Sequence, residues 1–428
     1  MPKIALIGAG SVVFARTLIS DILTFPELRD SIITLMDIDP ERLRLITALA
    51  ERMVAQGGAE MEIQATLDRR EALRDADYVI IMIQVGGLEM FEVDIQIPLR
   101  YGIDQTVGDT IGPGGVFRGL RTIPVLLDIC HDMRELCPEA LLINYANPMA
   151  INCWAMNEAG GIRNIGLCHS VQGTAMQLAR YIGASYEEVT YWVAGINHMA
   201  WFLEFKWKGK DAYPLLRAKL EDPEWREDGV RFEVMRHFDY FVTESTHHMS
   251  EYVPYFRQRK ELIEQFATPR WDYLELCQTG WQPHYERIRR QVAGEEPFEI
   301  RRSHEYGISI IHSLETNTSR RVNANVENTG LITNLPHGCC VEVPCLVDRT
   351  GVRPCYVGDL PSQCAALNRS NINLQELAVQ AALTGSRRAA FQAVALDPLT
   401  AAMLPLREIQ HMVDELFEAQ AEWLPQFR

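Results

Sequence analysis

The chain has 428 residues, 47% of them apolar and 23% charged, the balance of a globular protein too long for one ordinary core. Its formal net charge of −16 excludes a nucleic-acid backbone or an anionic membrane surface as the expected partner, and fits an enzyme for a small neutral molecule. No apolar stretch approaches the roughly 20 residues that a membrane span needs. Met1-Pro2-Lys3 runs straight into a strand with no room for a signal peptide. The ten cysteines show no CxxC spacing, and adjacent Cys339 and Cys340 are badly placed to bridge each other. Free thiols in a reducing cytoplasm are therefore expected.

In chain order, Lys3 to Ile7 is a short apolar run that stops at Gly8, and Ser11 to Leu23 reads as a helix. The small residues Gly8-Ala9-Gly10-Ser11 let the backbone approach a pyrophosphate, and the helix N-terminus adds free N–H groups. Val13 stands where the third glycine of G-x-G-x-x-G belongs, so the motif alone is weak. A second strand, Ser31 to Met36, ends at Asp37, where an acidic residue takes ribose hydroxyls and repels a 2′-phosphate. NAD is expected over NADP. Pro40 to Gln56 is an amphipathic helix and Met61 to Thr66 a short strand. Ala76 to Ile83 is a buried strand whose end, Gln84-Val85-Gly86-Gly87, lies where doubly wound sheets hold ligands. The expected fold class is α/β, a Rossmann-type doubly wound parallel sheet followed by a mixed α+β domain.

Tyr101 to Arg121, with Asp109, Gly112-Pro113-Gly114-Gly115 and Arg118, reads as a long loop walling the cleft. After a helix from Thr122 to Cys137, the strand Ala140 to Ile143 delivers Asn144-Tyr145-Ala146-Asn147-Pro148 to the same sheet edge. The proline holds Asn147 extended, and its amide suits sugar hydroxyls. Ile162 to Leu167 is a strand ending at Cys168-His169-Ser170, with a helix from Ser170 to Ile182. Val189 to Asn197 is a strand ending at His198. A thiol and an imidazole at two strand ends point to a metal site sharing the nicotinamide cleft. A division near residue 195 separates a Rossmann-type NAD-binding domain, 1–195, from an α+β substrate and metal domain, 196–428. In that second part Ala200 to Lys206 alternates like a strand and Tyr213 to Phe241 is mostly helical. Strands are expected at Ser309-Ile310-Ile311, Arg321 to Val326 and Cys340 to Leu346, and helices at the end.

Gly8-Ala9-Gly10-Ser11, Met36-Asp37-Ile38-Asp39, Gly112-Pro113-Gly114-Gly115, Asn144-Tyr145-Ala146-Asn147-Pro148 and Gly166-Leu167-Cys168 together resemble glycoside hydrolase family 4, in the family's order and across nearly the whole chain. Cys168 to Gly173, Gly195 to Met199, Phe241 to Ser245, Asn334-Leu335-Pro336 and Cys340 to Val343 resemble its melibiose-type α-galactosidase branch. The phospho-glycosidase branch carries Cys-Asp-Met-Pro after the same strand, so His169 implies an unphosphorylated sugar. The α-glucosidase and α-galacturonidase branches are close alternatives.

The resemblance implies a named exception to two-carboxylate glycoside hydrolysis. The sugar's C3 hydroxyl is oxidised by bound NAD⁺, the acidified C2 proton is removed, the leaving group departs from C1, water adds, and C3 is re-reduced. It further implies Mn²⁺ on Cys168 and His198. Tyr252 is then the C2 base, with Tyr255 in reserve, and His169 the proton donor to the leaving oxygen. Gly8, Ala9, Gly10, Ser11, Asp37, Gln84 and Gly86 would face NAD, and Asn147, Asp109 and Arg118 the sugar. Because the family forms dimers and tetramers, a homodimer or homotetramer is expected. The runner-up is an NAD-dependent 2-hydroxy-acid dehydrogenase, which shares the nucleotide half but has no use for a Cys/His metal site. A nicotinamide-sensing module without turnover is a third reading.

Overall fold

The computed structural model describes residues 1–11, 14–222 and 227–427. Its first half supplies β1 (Lys3–Ile7), β2 (Ile32–Met36), β3 (Glu62–Thr66), β4 (Tyr78–Ile81), β5 (Leu141–Asn144) and β6 (Asn164–Gly166). These strands are parallel and lie in the order β3-β2-β1-β4-β5-β6. That order reverses between β1 and β4, which opens a crevice at the carboxyl ends of the strands. β4 is buried throughout and β1 nearly so, because helices cover both sheet faces.

The later strands are β7 (Val189–Ile196), β8 (Met199–Trp207), β9 (Lys210–Asp211), β10 (Arg320–Glu327), β11 (Cys340–Asp348) and β12 (Gly351–Pro354). They extend the same sheet in antiparallel fashion, in the order β6-β10-β11-β7-β8-β9, with β12 on β11. Residue 195 is the next-to-last residue of β7, and the sheet runs on across it. A division there separates two halves of one sheet, and the main hydrophobic core runs from Ile4 to Phe427. The C-terminal helices return to the first half: Ser362–Thr384 packs on Gly112–Leu136, and the Phe417 ring meets Phe117 at 4.8 Å.

Two expectations are corrected. The glycine-rich run at residue 112 is not loop but the first turn of the helix Gly112–Leu136, which begins ten residues before the expected start. Side chains are excluded there by contact: a Cβ on Gly114 would lie 2.6 Å from the Asp94 carbonyl, and one on Gly115 2.5 Å from the Thr110 carbonyl carbon. Ser309-Ile310-Ile311 belongs to the helix Gly307–Thr316, since an apolar run that short carries no usable period. Val12 and Val13, within the expected first helix, and residues 223–226, within the expected helical stretch after Tyr213, lie outside the described residues. The first helix runs over Phe14–Leu23.

One buried ion pair ties the C-terminus to the cleft. Asp94 accepts from both Nη atoms of Arg121, at 2.9 and 2.5 Å, with both side chains fully buried. Arg121 Nη1 also donates to Gln420 Oε1 at 2.9 Å, and its Nε donates to the Val85 carbonyl at 3.0 Å. Asp94→Ala would leave that guanidinium buried without its counter-charge, at an expected loss of about 3–5 kcal/mol in urea unfolding. A loss below about 1 kcal/mol, the worth of an exposed pair, would show that other groups replace the carboxylate.

Candidate active site

The nucleotide end is built on the turn after β1. Gly8 has a φ of 87°, and a Cβ there would sit 2.8 Å from the Met82 carbonyl oxygen. Gly8 and Ala9 donate their N–H groups to the Met36 carbonyl, both at 2.9 Å, and Ser11 N donates to Gly8 O at 3.0 Å. Asp37 organises the rest: Oδ2 accepts from Gly10 N at 2.8 Å and Oδ1 from Asp39 N at 2.9 Å. Each oxygen keeps a lone pair free for a ribose hydroxyl. A Cβ on Gly10 would fall 2.7 Å from Asp37 Oδ2, so the cradle exists because the side chain does not. Beyond β4, Gln84 Nε2 donates to Gly87 O at 3.1 Å, and Gly86 caps the helix Gly87–Arg100. All seven expected cofactor residues therefore lie at the carboxyl ends of β1, β2 and β4, and they fit a dinucleotide.

The second cluster joins three chain segments. Cys168 follows β6, His198 sits in the tight turn between β7 and β8, and Glu244 precedes the helix Thr246–Tyr252. His198 and Glu244 both hold left-handed backbone, with φ of 63° and 76°, which is uncommon outside glycine and clusters at functional sites. Cys168 Sγ is 3.5 Å from His198 Nε2, which is 3.8 Å from Glu244 Oε2. Donor atoms of the three residues all lie within 4.8 Å of one another. Such spacings leave room for a cation at bonds of roughly 2.0–2.5 Å.

Electrostatics agree with that fit. Burial lowers His198 to about 4, leaving a neutral imidazole with a lone pair to give. Burial opposes the Glu244 charge, but His248, His198, His169 and Arg231 outweigh it and bring the carboxyl down to about 2. Burial, with Glu244 and Glu342, pushes the Cys168 thiol well above its usual range, a rise that a nearby divalent cation would reverse.

Around this cluster the expected sugar residues meet. Asn147 Nδ2 donates to Asp109 Oδ2 at 2.9 Å, and Arg118 Nε donates to the Asn147 carbonyl at 3.3 Å. Asp109 Oδ1 and Arg118 Nη1 are buried without a hydrogen-bond partner, although Nη1 lies 3.8 Å from Asp109 Oδ2 as an ion pair, so a ligand can donate to Oδ1 and accept from Nη1. Tyr252 is buried, and its hydroxyl donates to Thr110 Oγ1 at 3.0 Å; that oxygen lies 3.5 Å from His198 Nδ1. Burial pushes the phenol well above its usual range. Tyr255, the reserve, is 46% exposed and stacks on Phe238 instead. His169 stands at the rim, 60% exposed, with Nδ1 3.5 Å from Glu305 Oε1.

Three further residues belong to or surround this cluster. Glu244 lay in a run that carried the resemblance, yet nothing local marks it as a ligand. His248 packs edge-on against His198, with ring centroids 4.6 Å apart, and its Nδ1 lies 3.5 Å from Glu244 Oε1. Glu251, next to Tyr252, accepts from the backbone N–H groups of Thr106, Val107 and Gly108 at 2.6–2.9 Å, and so pins the loop that carries Asp109 and Thr110.

A family model described as family 4 glycosyl hydrolase matches residues 3–184, and that of its C-terminal domain matches residues 193–400. An α-galactosidase of Bacillus subtilis (strain 168) is 45% identical over 433 residues, covering 100% of both chains. One of Rhizobium meliloti (strain 1021) is 41% identical, covering 99% of this chain and 89% of its own. The fold matches the crystal structure of a 6-phospho-α-glucosidase from gut microorganisms in complex with NAD and Mn²⁺. That match has a TM-score of 0.86 and 22% identity, and covers 100% of each chain.

Proposed function

The chain belongs to family 4 of the glycosyl hydrolases, and from that membership we propose that it is an NAD- and Mn²⁺-dependent α-galactosidase for unphosphorylated α-galactosides such as melibiose. The observation that carries the chemistry is the convergence of Cys168, His198 and Glu244 beside the Tyr252 hydroxyl, linked through Thr110. The galactoside preference is supported by the two relatives at 45% and 41% identity, both α-galactosidases, and the absence of a phosphate requirement by His169 after Cys168.

Gly8, Ala9, Gly10, Ser11, Asp37, Gln84 and Gly86 would hold NAD, and Cys168, His198 and Glu244 would hold Mn²⁺. When bound, these groups would supply reversible oxidation at the sugar's C3 hydroxyl and positive charge to stabilise anionic oxygen on the sugar. Asn147, Asp109 and Arg118 orient the sugar, the last two through Oδ1 and Nη1, which make no hydrogen bond within the protein. Tyr252 acts as a base only as the phenolate, its own proton released to solvent, and positive charge held beside it would favour that form; its oxygen then takes the C2 proton, and Thr110 Oγ1 aims it. His169, leaning on Glu305, passes a proton to the leaving oxygen at the open rim.

Among the described residues no helix is long and apolar enough to cross a membrane. A cytoplasmic location, supported by ten free cysteines, and a homodimer or homotetramer belong to the same proposal. The test is hydrolysis of melibiose by dialysed protein under reducing conditions, with NAD⁺ and Mn²⁺ added singly and together. Galactose is expected only with both, without net NADH. NADH accumulating in step with product would instead mark a dehydrogenase, and turnover confined to maltose or an α-galacturonide would move the specificity to those sugars.

A further inference from the structure

A single row of residues crosses the sheet between the strands that carry the two expected metal ligands. Gly166 of β6 is in register with Asn325 of β10, Asn325 with Glu342 of β11, and Glu342 with Gly195 of β7. Cys168 lies just beyond one end of the row, and Asn197-His198 just beyond the other. Glu342 is wholly buried, and Asn325 and Asn197 are each 1% exposed. Both carboxyl oxygens of Glu342, Asn325 Oδ1 and Asn197 Nδ2 are buried without a hydrogen-bond partner. Nothing from Gly195 fills the place beside Glu342, since a Cβ there would lie 2.6 Å from the Met199 carbonyl oxygen.

An ionised carboxylate has only acceptors to offer, and an unpaired one in the sheet interior is costly. Burial, reinforced by the Glu244 charge, pushes Glu342 up to about 8. The neutral acid has one O–H donor and one carbonyl acceptor. Asn325 Nδ2 is committed to the Gly166 carbonyl at 3.3 Å, which leaves its Oδ1 to accept. The Asn197 side chain, whose Nδ2 lacks an acceptor, is the group that favours the charged form of Glu342, as an N–H donor does. Donors and acceptors then match one for one.

We propose that Glu342 is a carboxylic acid that donates to Asn325 Oδ1 and accepts from Asn197 Nδ2, a bridge that positions Cys168 and His198 for the metal ion. Through Asn325 it reaches the end of β6, and through Asn197 the turn that holds His198 in left-handed backbone. Glu342 touches neither sugar nor cofactor and acts through these neighbours, and the inference rests on the metal reading above.

The test is Mn²⁺ binding by the full chain, followed by the EPR signal of free Mn²⁺, with the thiolate charge-transfer band of bound Co²⁺ as a signature of Cys168 ligation. Glutamine offers the same donor and acceptor, so Glu342→Gln is expected to bind Mn²⁺ within about threefold of the unaltered chain. Leucine offers neither, so Glu342→Leu is expected to bind about 10–100-fold more weakly and to lose or shift the Co²⁺ band, with NAD binding retained. Where Glu342→Leu does not fold, Asn197→Ala takes its place with the same expected loss. Binding by Glu342→Gln weakened tenfold or more, or binding by Glu342→Leu equal to that of the unaltered chain, overturns the proposal. No Mn²⁺ binding by the unaltered chain defeats it together with the metal reading, a distinct result.

Discussion

Tyr252→Phe is expected to lower kcat for α-galactoside hydrolysis by about 10²–10⁴-fold, the worth of a positioned general base. Binding of Mn²⁺ and NAD should be unchanged. The ring is enclosed, and phenylalanine fills the same space, so the substitution removes little beyond the hydroxyl that donates to Thr110 Oγ1 at 3.0 Å. Thr110 keeps its place 3.5 Å from His198 Nδ1, and the three-residue cluster is untouched. Steady-state kinetics beside an EPR titration of Mn²⁺ separate the two effects. A kcat within about threefold of the unaltered enzyme would remove Tyr252 from proton abstraction, since no working base costs so little. Loss of Mn²⁺ binding in parallel would make the hydroxyl a structural support of the metal site.

Cys168→Ser is expected to weaken Mn²⁺ binding by more than about 100-fold, beyond the 10–100-fold that outer groups around a metal contribute. Activity should return in part at high Mn²⁺. A serine hydroxyl does not ionise near neutral pH even beside a cation of this kind, so the site loses an anionic donor while Glu244 and His198 remain. Glu244→Gln should fall the same way, which tests the third donor that the structure adds. If Glu244→Gln binds Mn²⁺ normally, that carboxylate serves the neighbouring imidazoles His198 and His248, 3.8 and 3.5 Å away, and not the ion.

The nucleotide half was legible because its signals are local. β1 and β4 are nearly continuous apolar runs as a result of burial on both faces, and Asp37 acts on a turn within the same βαβ unit. Cys168 and His198 were legible for a similar reason, each closing an apolar strand. Glu244 was not, because its part depends on a left-handed residue and on a segment brought back across the sheet. The glycines from Gly112 read as loop, whereas close approach of Asp94 and the Thr110 backbone requires a helix without side chains there. Composition does not separate Tyr252 from Tyr255, and only the resemblance ranks the first above the second. The helix Thr246–Tyr252 settles their placement, turning the first inward and leaving the second beyond its end and exposed. The links from Thr110 to Tyr252 and from Glu251 to the 106–108 backbone join distant segments, and no spacing rule reaches them.

The most direct test of hydrolysis through C2 deprotonation is the isotopic content of the galactose formed from melibiose in D₂O with NAD⁺ and Mn²⁺, read by NMR. A proton removed from C2 and later replaced through Tyr252 comes back from solvent, so the product should carry deuterium at C2. Galactose that retains its original hydrogen at C2 would contradict the account and return the enzyme to direct displacement at C1.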